Sequence, residues 1–70
     1  MKFNLYRCSV GYVITPENFA EPEGQHEWGP LDYIGQLSSD ALEQEVFRRV
    51  VAEIARRACA VISKSELGLI

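Results

Sequence analysis

No run of about 18 apolar residues occurs anywhere in this chain, so nothing in it reads as a membrane-spanning helix. Cysteine is scarce. Cys8 and Cys59 are too few for a disulfide framework, and a reducing, cytoplasmic compartment is the expectation. Met1-Lys2-Phe3-Asn4-Leu5-Tyr6-Arg7 carries charge, but no apolar h-region follows it, so no secretory signal is expected. The five glycines, at 11, 24, 29, 35 and 68, form neither G-x-G-x-x-G nor a Walker pattern, which excludes the common phosphate-cradling loops. His26 is the one histidine and Trp28 the one tryptophan. The largest gap is in positive charge: no Lys or Arg stands between Arg7 and Arg48.

What is present is a chain of 70 residues, 47% hydrophobic and 24% charged, within the ordinary globular range. A single domain of this size hides only about 60% of the surface its unfolded chain exposes, so its core is thin. The net charge of −3 conceals segregation. The base-free stretch holds Glu17, Glu21, Glu23, Glu27, Asp32, Asp40, Glu43 and Glu45, a formal −8. All seven bases lie outside it, opposed only by Glu53 and Glu66, a formal +5. Such a field steers partners even when the total is small.

Tyr6, Cys8, Val10, Tyr12 and Ile14 fall at every second position, which predicts a strand over about 2–15. Phe3 and Leu5 occupy the opposite phase, so either a bulge lies near residue 5 or both faces are partly covered at the start; farther on, Gly11 as a bulge is preferred over a tight turn at Ser9-Val10-Gly11. Residues of about 16–30 have no period and contain all three prolines, so they read as a long acidic loop. Leu31, Tyr33, Gly35 and Leu37 alternate with Asp32, Ile34 and Gln36, predicting a second strand over about 31–37, antiparallel to the first. Asp40 and Glu43 suggest a capping box opening a helix over about 40–63. Its wide apolar stripe includes Leu42, Val46, Val50, Ile54, Val61 and Ile62, and Glu45, Arg49, Glu53 and Arg57 form a ladder of alternating sign on the far face. Residues 64–70 read as a tail. The expected fold is α+β: a small two-stranded antiparallel sheet, with the segment after Ile62 a candidate third strand, packed on one long C-terminal helix.

Candidates for chemistry are few. Cys8 and Cys59 fall on apolar phases, where small buried hydrophobes are commonest, with a Cys8–Cys59 disulfide the lesser alternative. With His26 they supply three scattered metal ligands without zinc-site spacing, so no metal or other cofactor is expected. Glu21, Glu23 and Glu27 lack an apolar pocket that would tune a catalytic carboxylate, and no enzyme activity is expected. Arg48, Arg49, Arg56 and Arg57 could serve a dimeric nucleic-acid binder, but acids interrupt them and the pI is about 5.0, so nucleic acid is not the expected direct ligand.

The acidic loop is the more telling stretch. It sets Phe19 and Trp28 among Glu17, Glu21, Glu23 and Glu27, and the plainer alternative is that both rings cap the thin core. An aromatic anchor rimmed by negative charge suits a basic partner surface. Basic patches are commonest on proteins that handle nucleic acid, so transcription and similar machinery supply the expected partners. The profile resembles that of small accessory regulators, including inhibitors that bacteriophages make against host machinery. The expectation is a non-catalytic acidic regulator acting by occlusion or displacement. The structural alternative is a homodimer joined through Val46, Val50, Ile54 and Val61 of the helix.

Overall fold

A computed structural model describes residues 1–18 and 28–68. β1 (Lys2–Cys8) and β2 (Gly11–Pro16) form a hairpin closed by Ser9 and Val10; β3 (Asp32–Ser38) follows the loop, and a 3-10 turn at Ser39–Ala41 leads to α1 (Gln44–Arg57). The chain ends in β4 (Ala60–Ile62) and the short α2 (Lys64–Leu67). All pairings are antiparallel, in the order β3-β1-β2-β4. The sheet therefore has four strands, and the expected two, or three at most, are corrected; the single long helix roughly matches.

The first correction lies in the hairpin. Phe3 pairs with Pro16, Leu5 with Ile14 and Arg7 with Tyr12, so residues of opposite parity share a face. The change of apolar phase between Leu5 and Tyr12 is what a two-residue turn imposes, and no bulge at Gly11 is needed. Gly11 is required for another reason. Its φ is +144°, and a Cβ there would press on the carbonyl oxygen of Ile62 and stand 3.3 Å from Ser63 Cα.

A bulge does exist, in β3. Leu5 pairs with Gly35 and Tyr6 with Tyr33, which leaves Ile34 as the inserted residue. It reverses the alternation, so Leu37 faces Phe3 and the helix side while Tyr33 meets Tyr6 on the other side.

The helix is shorter at both ends than expected. Ser38 Oγ accepts from the Asp40 N–H at 3.3 Å and caps the 3-10 turn, whereas α1 starts from Glu43, which makes no side-chain cap. The expected Asp40–Glu43 box does not form because Leu42 drops into the core through extended backbone. At the far end Ala58 turns left-handed at φ 67°, its N–H closing on the Ile54 carbonyl. The apolar residues beyond then run as strand: Ile62 pairs with Tyr12 and Ala60 with Ile14. Ser63 and Glu66 form a reciprocal capping box that opens α2, where a plain tail was expected.

The two sheet faces are buried differently. Phe3, Leu5, Tyr12, Ile14 and Ile62 pack under Leu42 and Val50, with Val46, Phe47 and Ile54 of α1 alongside. On the opposite face Tyr6, Val13, Cys59 and Trp28 form a second cluster. β2 lies between both, and its Val13, Ile14 and Thr15 are wholly buried. No helix among the described residues is long and apolar enough to cross a membrane.

Candidate functional site

Trp28 holds the returning end of the loop. Its carbonyl accepts from both the N–H and the hydroxyl of Ser9, at 3.1 and 2.6 Å, which ties it to the hairpin turn. The ring is 7% exposed within the second cluster, and the Arg57 guanidinium lies 6.0 Å from its centroid. Here Trp28 caps a sheet face, as the plainer reading of it allowed. Phe19, Glu21, Glu23 and Glu27 lie outside the described residues, as does His26.

The remaining acids lie along β3 and at the start of α1, with Asp32 at one end of the strand and Asp40 just beyond the other. β3 and β4 occupy opposite edges. Asp32 belongs to β3, Asp40 to the turn that leaves it, and Glu43 and Glu45 to the start of α1. Glu17 joins them across the sheet, its Oε1 accepting from Gln36 Nε2 of β3 at 3.2 Å. Arg56 and Arg57 occupy the last turn of α1, next to β4. Asp40, Glu43 and Glu45 therefore follow the Ser38 end of β3 and Arg56 and Arg57 stand next to β4, but the separation is incomplete, because Lys2 and Arg7 of β1 pair with Ser38 and Asp32 of β3. Part of it serves α1 itself, since acids at the first turn and bases at the last complement the helix dipole.

These carboxylates are open to solvent. Glu17, Asp32, Asp40, Glu43 and Glu45 are all exposed. Asp32 stands 3.9 Å from Arg7, both side chains well exposed, a contact of little energy. The other four make no ion pair among the described residues.

The arginines of α1 are engaged differently. Arg49 bridges Glu53 at 3.4 Å and also binds Glu66 of α2 directly. The Ser63 backbone N–H holds the Glu66 carboxyl below its ordinary range; the Arg49 charge adds to this and partial burial opposes it. Arg57 lies over Trp28 and, like Arg48 and Arg56, is exposed. The helix stripe is committed too, for Val50 is wholly buried and Val46 and Ile54 pack on the same core. Val61 packs on the other face, so these four residues form no common outer seam.

Among the described residues catalytic groups do not converge. Cys8 and Cys59 form no disulfide, and Cys59 is buried. No group of three potential metal ligands occurs among the described residues. An apolar cleft of about 300 Å³ opens between residues 1–3, residues 16–18 and Val51 and Ile54 of α1; among the described residues its lining includes Lys2 and Glu17 but no thiol or imidazole.

Two surface residues escaped the sequence reading. Tyr33 and Ile34 on β3, next to Asp32, are 59% and 50% exposed. A signal was there: Ile34 is an apolar residue on the polar phase of its strand. Comparison with known proteins finds no matching family model, curated protein or solved structure.

Proposed function

We propose that this chain is a non-catalytic binding protein that docks its acidic β3 side onto a basic surface of a larger protein assembly. The observation that carries the reading is the set of exposed carboxylates Glu17, Asp40, Glu43 and Glu45, none ion-paired among the described residues. Negative charge left open in this way raises the rate of encounter with an oppositely charged surface and penalises wrong partners. Glu21, Glu23 and Glu27 add negative charge to the same stretch of sequence. Nucleic-acid-handling machinery of the cytoplasm is the partner class that most often carries such a basic surface. A chain this small, without a constellation for chemistry, acts there by covering the surface or displacing its ligand, in the manner of phage-made inhibitors.

The test compares the immobilised wild-type chain with a variant carrying Glu17→Gln, Asp40→Asn, Glu43→Gln and Glu45→Gln. Neutralisation preserves side-chain shape, and circular dichroism confirms that the variant folds. In lysate of the native host, the wild type should retain one dominant basic protein that leaves as salt rises, and the variant should not. Equal retention by both refutes the reading.

A further inference from the structure

We infer that β3 is a docking strand, and that the segment it takes is an extended, basic stretch of a partner protein added to the sheet edge beside Gly35–Ser38. The inference rests on the acidic-docking reading and specifies how the contact is made. β3 is seven residues long, paired with β1 on one side, and no strand lies on its other side among the described residues. Such an edge offers a row of unpaired N–H and C=O groups, a template for one more strand. Edges are usually blunted by lysine or proline, and Asp32–Ser38 contains neither. The bulge at Ile34 bends the edge, which leaves Gly35–Ser38 as the regular run and puts Ile34 beside it with half its surface exposed.

The surroundings select the occupant. Side chains of an added strand alternate between the two sheet faces. The run leads at Ser38 into the 3-10 turn and then the start of α1, where Asp40, Glu43 and Glu45 are exposed, with Lys2 of β1 opposite Ser38 as the neighbouring base. On the face opposite Leu37 the added side chains meet Tyr33, which already makes an edge-on contact with Tyr6 at 5.5 Å between centroids. The complementary segment alternates Lys or Arg with an apolar residue. A second copy of the chain is disfavoured, because edge-to-edge pairing would bring Asp32, Asp40, Glu43 and Glu45 of each copy toward those of the other.

The probe is an acetylated peptide of alternating Lys and Val, about eight residues long so as to span β3 at about 3.3 Å per residue. It is titrated into the full chain by fluorescence anisotropy, with amide shifts mapped by NMR. Saturable binding is expected, with shifts and slowed amide exchange concentrated at residues 34–38. N-methylation of one alternate set of peptide amides should weaken it by about tenfold or more, ~1.4 kcal/mol, while the other set is tolerated. Ile34→Lys should weaken it similarly, and an alternating Glu and Val peptide should not bind.

No saturable binding, indifference to both N-methylations, shifts centred on β4, or a dimer abolished by Ile34→Lys would each overturn the inference. Failure of the peptide alongside salt-sensitive capture that depends on the four acids refutes strand docking alone. Capture indifferent to those acids, with the peptide still pairing to β3, refutes the acidic-docking reading instead.

Discussion

Gly11 and Gly35 form a matched pair that separates backbone strain from steric exclusion. Both have strongly positive φ, +144° and +152°. A Cβ at Gly35 would meet nothing within 4 Å, whereas at Gly11 it would collide with the Ile62 carbonyl of β4. Gly35→Ala should therefore cost the conformational strain alone, about 1–3 kcal/mol. Gly11→Ala bears the same strain and must also push β4 away. The two strands share only three residue pairs, and displacing β4 uncovers Ile62 and Ala60, each 1% exposed. Re-exposing an Ile side chain costs about 1.5–3 kcal/mol, which brings Gly11→Ala to about 3–6 kcal/mol. A domain of this length has a total stability of roughly 4–10 kcal/mol, so the variant should be partly or largely unfolded at room temperature. Urea titration followed by far-ultraviolet circular dichroism and Trp28 emission reads both variants. Equal midpoints for the two would refute the argument that β4 closes on Gly11.

Thr15 is wholly buried and its hydroxyl finds no hydrogen-bond partner among the described residues; Thr15→Val keeps the shape and should stabilise by about 1 kcal/mol, read as a higher urea midpoint. Trp28→Ala removes the cap of the second cluster and should cost about 3–5 kcal/mol, with slowed amide exchange lost at Tyr6 and Val13. The folded pKa of Glu66 is lowered, so its contribution is present above the ordinary carboxylate pKa and disappears as pH falls through the folded value. Glu66→Gln should thus have a lower urea midpoint than wild type at pH near 6, and the gap should close as the pH falls below the ordinary carboxylate range; a gap that widens in acid contradicts this sign.

The parts legible in the sequence were those with an unambiguous period. β3 begins one residue from its expected start, and the long helix followed from a stripe at three- and four-residue spacing. β4 was hidden because Ala58, Val61 and Ile62 continue that spacing by coincidence. A short apolar run fits a helix as well as a strand, and the decision falls to pairing with Tyr12 and Ile14, some fifty positions away. The hairpin turn was encoded in the parity change between Leu5 and Tyr12, and α2 in the Ser63–Glu66 capping pattern, so both were readable. The separation of charge was visible along the chain. That Lys2 and Arg7 would come to lie beside β3 was not, because that depends on how β1 and β3 pair. The exposure of Tyr33 and Ile34 depends likewise on β3 being an edge.

The most direct test of the docking account is the salt dependence of affinity for the captured basic partner, compared between wild type, the fourfold neutralised variant and an Arg48→Glu, Arg56→Glu control. The account predicts that neutralising Glu17, Asp40, Glu43 and Glu45 weakens binding and flattens its dependence on salt, while reversing Arg48 and Arg56 leaves binding intact or slightly tighter. An unchanged salt dependence in the neutralised variant, or loss of binding in the arginine control alone, would contradict it.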